Sequence, residues 1–311
     1  MSDQRGDQPS RTPPAPAVAL VIGVAAVSSA AILISFARMQ GIPALSIAAL
    51  RMALAAAVVV PIALLRNRAE IGALTAKDAA LGAVSGMFLA LHFGFWTSSL
   101  DSTSVMSSVV LVSTNPLFVA VASALLFKER LRAGTLIGIG AAIAGAAAVA
   151  LFDAGAEGGA STRGDIMALL GAVSASGYLL VGRRLRSRMS LSLYVGISYV
   201  TAAAALLGAV AVTGTWLAGY PVGAYLWVLL LALGPQLLGH TSYNYALKYV
   251  SATFVTVTLL GEPIGASLLA IPLLAQVPSA LRIAAGLCIL AGIVIAARTE
   301  ARRRTPHAER S

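Results

Sequence analysis

The sequence predicts an all-α, polytopic membrane protein with ten transmembrane helices arranged as two inverted five-helix repeats. Three observations lead to this fold class: little charge, ten long apolar runs, and a similarity between the two halves. Of the 311 residues, 58% are apolar and 11% are charged, whereas soluble proteins carry roughly 25% charged residues. This composition excludes a soluble enzyme, a coiled coil, a disulfide scaffold and a disordered chain. The apolar runs do not alternate with polar residues, which excludes a membrane β-barrel.

The apolar runs are each long enough to cross a bilayer core, which takes about 20 residues of helix. We number them as spans one to ten, near residues 17–38, 43–65, 78–99, 103–127, 133–151, 164–183, 191–214, 223–246, 250–275 and 279–298. The first run is too long for a signal peptide, so we assign it as a span. The predicted division of the chain is a disordered cytoplasmic tail (1–16), a first repeat (17–151), an external linker (152–163), a second repeat (164–298) and a basic cytoplasmic tail (299–311).

The basic residues predict the orientation of these spans. With the N-terminus inside, the cytoplasmic segments hold all but four of the 22 lysines and arginines. The external segments hold only Arg38, Arg163 and Arg282, and Arg51 lies within span two. This is the distribution that the positive-inside rule requires. We therefore expect a multi-pass protein of a bacterial inner (plasma) membrane with both termini cytoplasmic. Its net charge of +10 is explained by topology and anionic lipid, and we expect no nucleic-acid partner.

The two halves of the chain resemble each other. With an offset of 147 residues, Pro116 falls on Pro263, Leu100 on Leu247 and Gly145 on Gly292. Each half has five spans, an odd number, so the second half must cross the membrane in the opposite sense. Inverted repeats of this kind are an architecture of secondary transporters.

Several motifs can be compared with a known family. They are Pro116-Leu-Phe ahead of Leu126-Phe-Lys-Glu-Arg-Leu131, Tyr245-Ala-Leu-Lys-Tyr-Val-Ser-Ala252, Gly261-Glu-Pro-Ile264, Gly164-Asp-Ile-Met-Ala-Leu-Leu170, Gly182-Arg-Arg-Leu-Arg186 and Leu50-Arg51-Met52. In these motifs the chain resembles the drug/metabolite transporter (DMT) superfamily, and within it the EamA-type ten-helix transporters with two EamA repeats. The resemblance implies a transporter of small metabolites. The chain departs from the family in span one, where Ala26-Val-Ser-Ser replaces the usual tryptophan-glycine, and after span nine, where Ala275-Gln-Val replaces Gly-Glu-Arg.

Ionisable side chains inside spans are costly and usually functional, and four qualify: Arg51, His92, His240 and Glu262. Glu262 is the only carboxylate deep within a span, about twelve residues from the start of span nine and so near the midplane at about 1.5 Å per residue. Apolar surroundings disfavour the charged form of a carboxylate, so Glu262 could take and release a proton. It is predicted to be a proton-coupling or substrate-cation site. Alternatively, it is a packing residue bonded to nearby backbone or to Arg51.

Two prolines at matching depths predict breaks in spans four and nine. Pro116 and Pro263 lack a backbone N–H and free a carbonyl one turn earlier. Interrupted helices at equivalent places in two inverted repeats indicate a binding site, although prolines also kink ordinary transmembrane helices. Asn115, the repeat counterpart of Glu262, could bind substrate or could join helices.

A histidine with aromatic neighbours occurs in each half. His92 is followed by Trp96, and His240 by Tyr243 and Asn244, at spacings that share a helix face. Histidine can shuttle protons, and the rings suit stacking or cation–π contact with an organic solute. The alternative for these residues is ordinary packing or an interfacial belt.

Arg51, named above, and Tyr178 complete the candidates for the substrate pathway. Arg51 could bind an anionic substrate group or pair with a helix C-terminus, and we favour the structural role. Tyr178 in span six is a further cavity candidate. The single cysteine and the spacing of the three histidines predict no disulfide and no metal site. No P-loop motif is present, so we expect no ATP site, and no loop is long enough for a soluble catalytic domain.

The sequence therefore predicts a secondary active transporter of small organic solutes, and not an enzyme. We expect an exporter of metabolites or amino-acid-like compounds that works by alternating access, with proton coupling through Glu262 and no cofactor. Its expected partners are the lipid bilayer and a small-molecule substrate, as a monomer or homodimer. An uncoupled uniporter or exchanger remains an alternative, and a channel or a membrane-embedded lipid-modifying enzyme fits the sequence less well.

Overall fold

A computed structural model of the protein describes residues 16–102, 105–127, 132–154, 162–274 and 280–304. Every regular element in these ranges is a helix. The predicted tails (1–16 and 299–311) and linker (152–163) lie wholly or partly outside the described residues. The joints at 128–131 and 275–279 also lie outside them.

The first half forms helices at the predicted positions of spans one to five. They are α1 (Pro16–Val27) and α2 (Ala30–Met39) in span one, α3 (Ala44–Arg66) in span two, the short α4 (Arg68–Gly72) in the joint, α5 (Ala76–Ser99) in span three, α6 (Val105–Val112) and α7 (Asn115–Phe127) in span four, and α8 (Ala133–Ala154) in span five.

The second half repeats this arrangement at spans six to ten. Its helices are α9 (Thr162–Arg186), α10 (Leu191–Thr213), α11 (Val222–Leu231), a π-helical segment (Ala232–His240) with α12 (Thr241–Ala246), α13 (Ala252–Leu259), α14 (Glu262–Leu274) and α15 (Ala280–Arg304). The described elements thus confirm the predicted all-α, two-repeat membrane fold.

Six helical stretches of the described chain are long and apolar enough, by length and composition, to cross a membrane. They are Pro16–Met39, Ala44–Arg66, Ala76–Ser99, Thr162–Arg186, Leu191–Thr213 and Val222–Ala246. Spans four, five, nine and ten contribute the other apolar helices. Large apolar side chains are exposed on the outer surface, for example Val58, Leu65, Val84, Leu125 and Leu229. In a bilayer these side chains contact lipid, while the helices satisfy their own backbone hydrogen bonds.

The helix contacts follow the repeat symmetry. Helix α3 packs on α10, and α8 packs on α15, so equivalent helices of the two repeats meet. The contact of α5 with α9 is matched by the contacts of span one with span eight. At the α8–α15 crossing, a Cβ on Gly138 would lie 2.6 Å from the Gly292 carbonyl oxygen, and one on Gly292 would lie 2.5 Å from the Gly138 oxygen. Both helices therefore need glycine at this crossing.

Spans four and nine are interrupted at equivalent positions. Helix α6 ends before Ser113 and Thr114, and α13 ends before Leu260 and Gly261. Asn115 and Glu262 are then the first residues of α7 and α14. The prolines that follow them stand in a first helical turn, where a missing N–H costs nothing.

Two irregularities were not predicted from the sequence. Span one is broken at Ser28 and Ser29, between α1 and α2, and span eight contains the π-helical segment around Pro235. Ser28 Oγ donates to the Val24 carbonyl at 2.7 Å and Ser29 Oγ to the Ala26 carbonyl at 2.8 Å. The same two carbonyls also accept the backbone N–H groups of Ser28 and Ser29, at 3.0 and 3.3 Å, so each serine bonds one carbonyl through both its backbone and its hydroxyl. Pro235 removes a backbone donor, and a π-helical turn is one way for a helix to absorb that loss.

Candidate functional site

A cavity lies between the two repeats, and polar residues of both repeats line it. Counting its open mouth, the empty volume is about 670 Å³. Eight of the nine predicted site residues line it: Arg51, His92, Trp96, Asn115, Tyr178, His240, Tyr243 and Glu262. Ser113 is a further polar lining residue, and the apolar wall includes Val27, Ala30, Val112, Ala175, Leu179, Leu259 and Leu260. The ninth predicted residue, Asn244, is not part of the lining.

Arg51 on α3 is held by side chains from two other elements. Its Nε donates to Gln236 Oε1 at 2.9 Å, and its guanidinium carbon lies 3.9 Å from the centroid of the Phe93 ring. Only 2% of Arg51 is exposed. A guanidinium over an aromatic face is stabilised by the ring quadrupole. Within the described chain, Arg51 is thus bonded to Gln236 and forms no ion pair with Glu262.

The two histidines belong to one aromatic cluster. His92 Nδ1 lies 3.0 Å from the carbonyl oxygen of Gly171. A carbonyl only accepts, so Nδ1–H is the donor and Nε2 is the proton-accepting nitrogen of the neutral ring. The His92 ring stacks on Trp96 with centroids 5.9 Å apart, and its centroid is 6.3 Å from that of His240.

The second half of the cluster follows the repeat register. His240 contacts Phe93 edge-on at 5.2 Å and Tyr243 edge-on at 5.9 Å. With the offset of 147 residues, Phe93 is the counterpart of His240, and Trp96 is the counterpart of Tyr243. In the sequence, the pattern of a histidine with aromatic neighbours matches His240 with His92, and Phe93 is not among the predicted site residues. The exact register of the repeat would have identified it.

Glu262 and Asn115 occupy equivalent places at the starts of α14 and α7, and both face the cavity. Span one passes beside Glu262, because Ser28 Oγ lies 3.5 Å from the Glu262 carbonyl oxygen. The Asn115 carbonyl accepts a hydrogen bond from Ser176 Oγ at 3.2 Å. The two helix breaks therefore place one carboxylate and one amide on opposite repeats of the same cavity.

Asn244 supports the cavity wall from behind. Its Nδ2 donates to the Tyr178 hydroxyl and, at 2.8 Å, to the His240 carbonyl, and the residue is fully buried. Tyr178 in turn stacks on Tyr194 with centroids 6.3 Å apart. Asn244 thus fixes a lining tyrosine without facing the cavity itself.

Gln236 is a site residue that no sequence pattern predicts. It lies in the π-helical segment, is fully buried, and accepts from Arg51. The Tyr199 hydroxyl lies 3.4 Å from the Gln236 carbonyl oxygen and 3.2 Å from Thr241 Oγ1. Uncharged glutamine in an apolar run resembles a packing residue in the sequence, and only Pro235 beside it signals irregular backbone.

Four buried polar atoms of lining residues have no hydrogen-bond partner in the described part of the protein. They are Arg51 Nη2, Trp96 Nε1, Asn115 Oδ1 and Tyr243 Oη. Buried polar atoms in folded proteins are nearly always bonded to protein or water. Because all four residues line one cavity, their unpaired groups are candidates for binding a polar solute.

The described residues contain no group of three or more histidine, cysteine, aspartate or glutamate side chains that could hold a metal ion.

Comparison with known proteins places these features in a wider group. The model of the EamA-like transporter family matches residues 15–151 and 162–298, which correspond to the two repeats. Among solved structures, 29 chains match. One, described only as the crystal structure of a protein, has a TM-score of 0.75 and 22% identity, with 93% of this chain and 99% of that chain covered. At this identity the likeness shows the fold alone. No curated protein matches the chain significantly.

Proposed function

Because the chain belongs to the EamA-like transporter family, we propose that it is a secondary active transporter that carries small organic solutes through its central cavity by alternating access. The family is a transporter family of the drug/metabolite type, so the chain is a multi-pass membrane transporter of small solutes. The observation that carries the proposed mechanism is the cavity, which is lined by both repeats and holds unpaired polar groups.

Alternating access is supported by the way the repeats meet. Equivalent helices pack against each other at the α3–α10 and α8–α15 contacts, and the cavity lies between the repeats. Rocking one repeat against the other would open the cavity to one side and then to the other. In this proposal the protein works in a bacterial plasma membrane with cytoplasmic termini, as a monomer or homodimer, and needs no ATP or cofactor.

Proton coupling is proposed at Glu262. Its carboxylate shares the cavity with Arg51, His92, His240 and Tyr243, so a proton on Glu262 and a charged solute would affect each other at short range. Exchange of one inward-moving proton for one solute would drive export, because the bacterial proton gradient points inward. The expected cargo is a metabolite or an amino-acid-like compound.

The test is solute flux in proteoliposomes with an imposed pH gradient. Candidate solutes come from comparing the medium of overexpressing cells with that of deletion cells. We expect Glu262→Gln to transport without dependence on the pH gradient, because the amide cannot exchange a proton. The matched control is Asp101→Asn, a carboxylate outside the cavity that is paired with Arg38 at 2.5 Å, and it should keep the wild-type dependence.

Two results would contradict the coupling. Glu262→Gln could retain full gradient dependence, in which case another group carries the proton. Wild-type flux could be independent of the gradient and free of substrate-dependent proton movement, in which case the protein is an uncoupled uniporter or exchanger.

A further inference from the structure

The unpaired polar atoms of the residues that line the cavity are mostly donors. Arg51 Nη2, Trp96 Nε1 and Tyr243 Oη can each donate, whereas Asn115 Oδ1 only accepts. All four residues are at least nine-tenths buried. A solute group rich in acceptors and carrying negative charge would satisfy the donors, and the oxygens of a carboxylate have this character.

The Arg51 guanidinium is fixed before any solute arrives. Gln236 binds Nε, the Phe93 ring lies against the plane, and Nη2 stays unpaired among the described residues. Arginine has a planar fork that recognises oxyanions best when its orientation is set in advance. Among the described residues, the Gln236 side chain supplies the hydrogen bond that orients the guanidinium, and the Phe93 ring supplies the surface it lies against.

Gln236 belongs to the irregular backbone of span eight. Gln236 follows Pro235 within the nine-residue π-helical segment, and Tyr199 holds its carbonyl. A π-helical turn rotates the residues after it relative to a regular α-helix, and such turns are frequent at functional sites.

The two helix breaks add to the same electrostatic preference. Helices α7 and α14 begin at the cavity with Asn115 and Glu262, and the N-terminal end of a helix carries partial positive charge. When Glu262 is protonated and neutral, the positive charge of Arg51 is not balanced by a carboxylate among the lining residues. The cavity then favours a negatively charged group. When Glu262 is ionised, an ammonium group next to the oxyanion could be accommodated.

We propose that the solute of this cavity carries a carboxylate or similar oxyanion that binds Arg51, and that Gln236 is the positioning residue that gives Arg51 this specificity. The inference rests on the proposed transport function for its biological meaning, but it can be tested by binding alone.

The test uses Trp96 as a reporter within the cavity wall. In a Trp216→Phe, Trp227→Phe background, Trp96 is the single tryptophan of the chain. Purified protein in lipid nanodiscs is titrated at pH 7 with acetate, benzoate, phenylacetate and phenylalanine. Each acid is compared with its primary amide, in which an uncharged amide group replaces the carboxylate. We expect Trp96 fluorescence to report at least one acid that binds ten or more times more tightly than its amide.

Variants then assign the preference to the two residues. Arg51→Gln should abolish it, and Gln236→Leu should weaken acid binding about tenfold while leaving amide binding unchanged, since only the orientation of Arg51 is lost. Arg51→Lys should give an intermediate preference, because it keeps the charge but not the planar fork. The matched control is Ser198→Ala, the buried repeat counterpart of Arg51 that does not line the cavity, and its preference should stay at the wild-type value.

Some outcomes would overturn the proposal. If no acid of the panel binds better than its amide, the oxyanion specificity is wrong. If Gln236→Leu folds, as judged by its thermal transition, and keeps the full preference, Gln236 does not position Arg51. If Gln236→Leu does not fold, the test rests on Arg51→Lys. A wild-type preference for acid over amide in Arg51→Lys would show that the oriented planar guanidinium is not required. Failure of transport itself would appear separately, as absent solute flux in proteoliposomes despite acid binding.

Discussion

At the scale of the residue, the cavity depends on side chains whose partners come from distant parts of the chain. Arg51 bonds Gln236 of the other repeat, and His92 bonds the carbonyl of Gly171. The sequence identified the buried ionisable residues, because charge within an apolar run is a local signal. It did not identify Gln236, because an uncharged amide becomes informative only when its partner is known.

The contact of Asn244 with Tyr178 gives a prediction at this scale. Asn244→Ala should lower the free energy of unfolding by about 1–3 kcal/mol, because the buried Tyr178 hydroxyl loses its donor. Tyr178→Phe should cost about 0.5–1.5 kcal/mol, the net value of one hydrogen bond. The double variant should cost less than the sum by about 1 kcal/mol, as expected for residues in contact.

The measurement is a double-mutant cycle of unfolding free energies in detergent micelles. Tyr225→Phe serves as the control, because its hydroxyl bonds the Leu217 carbonyl at 3.1 Å, away from Asn244. Its effect should simply add to that of Asn244→Ala. Strict additivity for the Tyr178 pair would show that the hydrogen bond contributes no coupling energy.

At the scale of the element, small residues and helix breaks decide how the spans meet. The positions of the ten spans were predicted correctly to within a few residues, because length and apolar content are properties of each segment alone. The breaks at Ser113–Thr114 and Leu260–Gly261 lie next to the prolines that pointed to these places. The break at Ser28–Ser29 and the π-helical segment had no comparably specific signal.

The α8–α15 crossing gives a prediction at this scale. Gly138→Ala should lower the free energy of unfolding by about 1–3 kcal/mol, because the new methyl group meets the backbone of α15 and the helices must separate. A Cβ at position 138 would lie 2.6 Å from the Gly292 carbonyl oxygen and 2.8 Å from the Ala296 backbone nitrogen.

Gly140→Ala is the matched control within the same helix. A Cβ at Gly140 has no neighbour within 4 Å in the described part of the chain, and alanine favours the helix over glycine by about 0.8–1.0 kcal/mol. This variant should therefore be as stable as the wild type or more stable in a thermal unfolding scan. Equal effects of the two substitutions would mean that helix propensity, and not the crossing, sets the outcome.

At the scale of the whole molecule, polar contacts join the two repeats away from the cavity. Asn67 Nδ2 donates to Ser190 Oγ at 2.8 Å, and the Ser190 backbone N–H donates to Glu70 Oε1 at 2.7 Å. Ser192 Oγ donates to Asn67 Oδ1 at 2.6 Å. This network connects the α3–α4 corner of the first repeat to the start of α10. The predicted topology places it at the cytoplasmic end, where rocking of the repeats would have to break it.

Removing this network should favour opening at that end. In a Cys288→Ser, Ser113→Cys background, the cysteine at position 113 in the cavity is labelled with a membrane-impermeant maleimide from the cytoplasmic side. Glu70→Ala should raise the rate of this labelling about fivefold. A fivefold change corresponds to the loss of one hydrogen bond of about 1 kcal/mol. Inside-out vesicles give access to that side.

The control for this prediction is Ser187→Ala. Among the described residues, its hydroxyl bonds within its own turn, to the Arg184 carbonyl at 2.7 Å, so the labelling rate of this variant should equal that of the background protein. If Glu70→Ala and Ser187→Ala label at the same rate, the network does not hold the repeats together.

The fold class, the ten apolar segments, the repeat and the set of buried ionisable residues can all be read from the sequence. Each of these is recorded locally, in composition, run length or self-similarity, because the bilayer imposes the same requirement on every segment. The pairing of polar atoms, in contrast, is visible only in the folded protein. Folding placed Asn244 behind the wall, brought Gln236 to Arg51 and left donors of both repeats unpaired at one cavity. These contacts join residues far apart in the chain, so they depend on helix packing and on a π-helical turn whose geometry no single segment specifies.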